Sequence, residues 1–186
     1  MADLIYTSNV SLDGFIEDDR GNFDFTDPDD DVFAFITGLE RSAGTYLYGR
    51  RLYEMMAVWE TDPGLRARSE LMADFADMWQ AAEKVVYSTT LEEVATAKTR
   101  LERGFDADAI RTMKASATGH LTVGGANLAR QAFEAGLIDE CRLFISPVLV
   151  GGGKPALPRD IRAELELIDE QRFIRGVIYL RYRIAS

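Results

Sequence analysis

Two spacings alternate along this chain of 186 residues. Short runs rich in β-branched and aromatic residues, at positions 3–10, 44–48, 84–88, 120–123 and 140–150, read as strands. Most of the segments between them carry apolar residues at a period near 3.6. Val32, Phe35, Ile36 and Leu39 follow i, i+3, i+4, i+7 and predict a helix over 29–42. Leu71, Phe75, Met78 and Ala82 predict a second over 66–82, and Ile110 and Met113 mark a shorter one near 106–117. In "AELELIDEQRFIRGVIYLRYRIA" the period drops to two, with Ile178, Leu180, Tyr182 and Ile184 on one face and Arg181 and Arg183 on the other, an antiparallel ending. Successive βα units followed by a terminal pair of strands predict a three-layer α/β fold: a mixed, mostly parallel sheet with helices on both faces. No repeat, low-complexity tract or linker divides residues 1–186, so a single domain is expected.

Composition narrows the function classes. At 47% hydrophobic and 28% charged, the chain has the make-up of a domain that buries a core. The apolar runs fall far short of the roughly 18 residues a membrane helix needs, and "MADLIYTSNV" lacks the basic start of a signal peptide, so a cytoplasmic protein with no membrane partner is expected. A lone Cys141 and a lone His120 leave no intrachain disulfide and no ordinary Cys/His zinc pattern, so no metal is expected. Cys141 reads as an apolar filler and His120 as a surface or internally satisfied side chain. A net charge of −10 repels phosphate backbones, which disfavours nucleic acid.

The candidate chemistry lies at strand ends. In "TVGGANL" the strand ends at Val123 and a helix starts near Ala126 or Asn127, which puts Gly124 and Gly125 in the turn. Either the bare backbone and the free N–H groups of the helix start receive an anion such as a dinucleotide pyrophosphate, or the turn needs glycine for tightness alone. There is no G-x-G-x-x-G after the first strand, and "GGGKP" at 151–155 is no Walker loop, because Val148 and Pro155 stand where glycine and Ser/Thr are required. In "TYLYGRRLYEMM", Gly49 ends a strand and Arg50 and Arg51 open a helix, where the dipole favours anions. They either grip a bound anion or pair with nearby acids. In "KVVYSTTLE", Ser88, Thr89 and Thr90 supply hydroxyls for ribose or phosphate, or cap the next turn. If the strands are parallel, all three ends line one edge, where open α/β sheets bind ligands.

Taken in order, "VSLDGFIEDDRGNFDF", "YGRRLYE", "VVYSTTLE" and "LTVGGANLARQAFEAGLIDECRLFISPVLVGGG" make the chain resemble the dihydrofolate-reductase-like superfamily nearly end to end. Within it, the likeness is to the branch holding the C-terminal reductase domain of the bifunctional riboflavin-biosynthesis deaminase-reductase. The resemblance implies a dihydrofolate-reductase-like fold and an NADPH-dependent reductase acting on a small polar heterocycle, a ribosylated aminopyrimidine or a pterin. By the same resemblance, Gly49, Arg50 and Arg51 hold phosphates, including the 2′-phosphate, and Ser88 and Thr89 lie beside the adenosine. Gly124, Gly125, Ala126 and Asn127 form the pyrophosphate turn. Asp13, Gly14, Phe15 and Ile16 sit beside the nicotinamide, and Gly151, Gly152 and Gly153 near the cleft, although "KPALP" departs from the usual continuation. A homodimer through the terminal strands is implied as well.

In dihydrofolate reductases a carboxylate on the first long helix supports protonation of the pterin, with an aromatic one turn later. Asp31 and Phe35 have that spacing and would share a helix face, making Asp31 the candidate catalytic residue. Asp29, Asp30 and Asp31 also suit a helix start on their own account. The acidic run at 24–31 reads as a solvated loop or a lid, and the stripe Met72, Phe75, Met78, Trp79 as core or dimer contact. Two rivals stay open: a non-catalytic NADP(H)-binding module and a true dihydrofolate reductase.

Overall fold

The computed structural model describes residues 1–185. The chain opens with β1 (Leu4–Ser11), turns through the short strand β2 (Phe15–Glu17) and enters α1 (Asp30–Glu40). Next come β3 (Ala43–Gly49), α2 (Arg50–Met56), two single-turn helices α3 (Val58–Thr61) and α4 (Pro63–Arg66), α5 (Glu70–Ala81), β4 (Glu83–Tyr87) and β5 (Thr99–Glu102). α6 (Ala107–Ser116), β6 (His120–Gly124), α7 (Ala126–Glu134) and β7 (Glu140–Ser146) finish the βα part. The two-residue strand β8 (Lys154–Pro155) and the hairpin of β9 (Leu165–Arg172) and β10 (Ile178–Ile184) end the chain.

One eight-stranded sheet runs in the order β5-β4-β3-β6-β1-β7-β10-β9. The pairs from β5 to β7 are parallel, and β10 is antiparallel to both β7 and β9. β2 and β8 form a separate antiparallel pair above it. The α/β reading therefore holds, with helices on both faces.

Side chains one apart on the strands go to opposite layers. Leu4, Tyr6, Leu47, Val85, Leu121 and Val123 pack under Ile110 of α6 and Leu128, Ala129 and Ala132 of α7. Tyr46, Tyr48 and Val86 meet Tyr53 of α2 and Phe75 and Trp79 of α5 on the other face, so Phe75, Met78 and Trp79 of the Met/aromatic stripe belong to the core. Helix limits follow their caps: Asp29, Ser69 and Asp106 accept the N–H groups of Val32 (3.0 Å), Met72 (3.1 Å) and Asp108 (2.9 Å), which trims the helix expected over 66–82 to α5.

Three expectations change. The strand expected over 140–150 stops at Ser146, because Pro147 has no N–H for a ladder and the backbone folds back, Val148 N–H donating to the Ser146 carbonyl at 2.8 Å. β2, β5 and β8 are too short to show a period. On β10 the better covered face carries the arginine: Tyr179 is fully buried under Phe35 of α1, and Arg181 pairs with Glu140 at 2.6 Å, whereas Ile178, Leu180, Tyr182 and Ile184 are half-buried. Cys141 is buried, which pushes its thiol up to about 12, and His120 accepts the Asp3 N–H at 3.3 Å.

Candidate functional site

Because β1, β3, β4, β6 and β7 are parallel, their carboxyl ends share an edge. Register brings Gly124 beside Tyr48, and Gly49 beside Tyr87. The two glycines after β6's apolar run serve different ends. A Cβ on Gly124 would lie 2.3 Å from Leu52 Cδ2 and 3.2 Å from two Tyr48 ring carbons, so this glycine lets α2 close down on the strand end. Gly125 has φ 93° and ψ 121°, a backbone that L side chains rarely adopt, and a Cβ there would meet only the Gly49 nitrogen, 3.9 Å away. Tightness explains Gly124, and an open backbone cradle facing Gly49 explains Gly125.

The helix starts at this cradle differ from the others. α1, α5 and α6 begin with a capping side chain and an acid in the first turn. α7, which starts at Gly125, and α2, which starts at Gly49, have neither. The first-turn N–H groups from Ala126 to Leu128 point out of the helix end with no capping oxygen from a side chain. That is the chemistry of an anion acceptor, and the donor set fits a dinucleotide phosphate.

Arg50 and Arg51 follow Gly49 directly and reach away from each other. Arg50 donates from Nε to Glu54 Oε1 (2.8 Å) and from Nη1 to Thr90 Oγ1 (2.9 Å). Arg51 donates from Nη1 to Glu17 Oε2 (2.7 Å) and from Nη2 to the Gly21 carbonyl (3.3 Å). Both guanidinium groups are about half exposed, and ion pairs made by solvent-facing side chains are worth about 0–1 kcal/mol, so both arginines are available to a stronger anion. Ser88 caps its turn, its Oγ accepting the N–H groups of Thr90 (3.2 Å) and Leu91 (3.0 Å), while Thr89 is exposed.

Asp13, Gly14 and Gly151 are brought together as a fastening between two loops. Buried Ser11 accepts the Phe15 N–H at 3.0 Å through its hydroxyl oxygen. A hydrogen bond from the Ser11 hydroxyl, with the N–H groups of Gly151 (2.8 Å) and Val150 (3.2 Å), holds the Asp13 carboxyl below the usual carboxylate range. Gly14, at φ 89°, accepts the Ala156 N–H at 2.9 Å. The late glycines serve the same junction: a Cβ on Gly153 would fall 2.0 Å from the Glu17 carbonyl oxygen. Ile16 is half-buried on β2.

Asp31 lies exposed in the first turn of α1, beside Asp29, Asp30, Ile174 and Arg175 around a shallow depression. Phe35 is half-buried, its ring edge-on to Tyr179 (4.9 Å), Phe173 (5.4 Å) and Phe144 (6.2 Å), so part of the aromatic already packs on the core. Glu17 and Ser11 were not expected here. The "SLDG" turn held a signal for Ser11, since serine two residues before Asp-Gly bonds locally; nothing in the sequence pointed from Glu17 to Arg51.

Fold and edge together define an α/β protein of dihydrofolate-reductase-like architecture with two uncapped helix starts and an open glycine turn at the carboxyl ends of its parallel strands. The chain belongs to the RibD C-terminal domain family, whose model matches residues 2–179. An uncharacterised protein of Bacillus subtilis (strain 168), YyaP, is 28% identical over 189 aligned residues, covering 96% of this chain and 93% of that protein. Solved structures similar in fold include a candidate riboflavin biosynthesis protein from Shewanella sp. PV-4, at TM-score 0.76 and 23% identity with 100% of both chains covered. A pyrimidine reductase-like protein from Corynebacterium diphtheriae matches at TM-score 0.67 and 12% identity, over 100% of this chain and 92% of that one. The deaminase/5-amino-6-(5-phosphoribosylamino)uracil reductase of Thermotoga maritima matches at TM-score 0.66 and 14% identity; 99% of this chain covers 57% of that protein.

Proposed function

We propose that the protein is an NADPH-dependent reductase that passes hydride to a polar heterocycle, a ribosylated aminopyrimidine or a pterin. One observation carries the reading. In a chain with 31 acidic and 21 basic side chains, the two helices that begin at adjoining strand ends are the ones left with neither cap nor acid, and one opens with two arginines. Membership of the family and the reductase-like names of its structural neighbours support it.

In this reading the first-turn N–H groups of α7, with Gly124, Gly125, Ala126 and Asn127, take the pyrophosphate. Arg50 and Arg51 grip the 2′-phosphate, Ser88 and Thr89 flank the adenosine, and the fastened loop of Asp13, Gly14, Ile16 and Gly151 walls the nicotinamide end. When bound, the cofactor supplies the hydride; the protein supplies placement and exclusion of water. Asp31, at the helix start on this edge, supports protonation of the acceptor. The expected setting is the cytoplasm, and a second copy of the chain covers β9, whose eight residues are all exposed, including Leu165, Leu167 and Ile168. One observation favours the rival of a non-catalytic NADP(H)-binding module: Phe35 packs edge-on against the core and Asp31 stands in solvent.

The test is calorimetric binding of NADPH and NADH, followed by turnover. Replacing Arg50 and Arg51 with alanine is expected to weaken NADPH about tenfold more than NADH, the loss of roughly one charge-assisted hydrogen bond of about 1.5 kcal/mol. Equal losses remove the 2′-phosphate role. Turnover of the pyrimidine or of dihydrofolate that survives Asp31→Asn removes Asp31 from the chemistry, and tight NADPH binding without turnover on either substrate favours the module.

A further inference from the structure

Resting on the dinucleotide reading above, we infer that Glu17 is an internal competitor for Arg51, and so sets how strongly the protein prefers a 2′-phosphorylated dinucleotide over its unphosphorylated counterpart. The two halves of this pair differ in freedom. Glu17 sits on β2, whose backbone is clamped: β8 pairs with it, and Gly153 lies so close that a single added carbon would strike the Glu17 carbonyl. Its side chain is 17% exposed, against 57% for Arg51. The acid is stationary, and the long arginine arm is the part that moves.

Arg51 spans from the start of α2 to the turn after β2, closing one contact on Glu17 (2.7 Å) and another on the Gly21 carbonyl (3.3 Å). Arg50 is tied differently, to Glu54 on its own helix at i+4 and to a neutral hydroxyl. Lys154 is Glu17's neighbour in the β2/β8 ladder and makes no ion pair among the described residues, so Arg51 is the cation that Glu17 holds. A phosphate monoester offers nearly two charges and three acceptor oxygens to the same forked donors, and displaces a single carboxylate. With pyrophosphate bound at the start of α7, the displaced contact would count against binding of the 2′-phosphate alone.

Calorimetric dissociation constants for NADPH and NADH on the full chain test this. Glu17→Gln is expected to raise the ratio Kd(NADH)/Kd(NADPH) about two- to fivefold, the worth of one ion pair with a solvent-facing arginine, mainly by tightening NADPH. Asp19→Asn removes the same charge from the same loop at an exposed residue with no bond to Arg51, and should shift both dinucleotides alike. In an Arg51→Ala background, Glu17→Gln should leave the ratio where Arg51→Ala put it. An unchanged or lowered ratio in Glu17→Gln, an equal rise in Asp19→Asn, or a rise that persists without Arg51 overturns the competitor role while the dinucleotide reading stands. Failure of the unmodified protein to bind either dinucleotide overturns both.

Discussion

Gly124→Ala, alone and combined with Leu52→Ala, separates packing from ligand access at the glycine pair. The added methyl in Gly124→Ala would stand 2.3 Å from Leu52 Cδ2 and 3.2 Å from the ring of Tyr48, which is itself 4% exposed and held by Trp79 Nε1 at 3.1 Å. The tyrosine cannot yield, so Leu52 must rotate or α2 must lift, an overpacking cost of about 1–3 kcal/mol. For a chain this size that lowers Tm by about 2–4 °C per kcal/mol. Leu52→Ala alone leaves a partly filled gap and costs about 2 kcal/mol. In the double variant the new methyl enters the space the leucine vacates, so the combined loss should fall short of the sum by at least about 1 kcal/mol. Urea denaturation of the four proteins measures it. Strict additivity would refute the reasoning, because it would mean that Gly124 is not there for Leu52.

Glu40 is expected to make stability fall with rising pH. It is 7% exposed at the end of α1, and burial pushes its carboxyl above the ordinary range, with Arg142 and the Thr122 hydroxyl (3.4 Å) opposing. The hydroxyls of Tyr46 and Thr7 approach it without closing a bond of normal geometry. With the folded value raised, the native state holds its proton more tightly than the unfolded chain, so stability is greatest below the unfolded value of about 4.3 and declines as pH rises through the folded one. Glu40→Gln should remove this decline; urea curves from pH 4 to 8 with a constant difference between the two proteins would refute it. For the proposed dimer, Leu165→Glu with Leu167→Glu, at residues 44% and 48% exposed, should raise the dimer dissociation constant more than a hundredfold, from about 1.5 kcal/mol or more lost per leucine. Sedimentation showing a monomeric unmodified protein at micromolar concentration would reject it.

Much of the architecture was legible in the sequence because it is local. Apolar period marks α1, α5, α6 and the central strands, since a helix or strand face must be apolar wherever it is buried. Asp29 and Asp106 stand where the helices over 29–42 and 106–117 are expected to begin and cap them through bonds only two or three residues long, whereas the equally local cap at Ser69 falls inside the helix expected over 66–82. The glycine pair, the arginines after Gly49 and the hydroxyls after β4 were each visible as strand-end chemistry, and each carried two readings.

Choosing between those readings took the tertiary structure, because it depends on which residue from a distant segment arrives alongside. Gly124 is explained by Leu52 and Tyr48, Asp13 by the N–H of Gly151 138 positions away, and Arg51 by Glu17 34 positions away. Phe35 has the spacing of a ligand-stacking aromatic, yet the register of β7 and β10 fills its surroundings with Phe144 and Tyr179. Periodicity says that a face is covered, whereas strand order, register and helix approach decide by what. By itself the sequence determined the longer elements and the chemistry at their ends; the packing of those elements determined which of the ends meet and which side chains are already engaged.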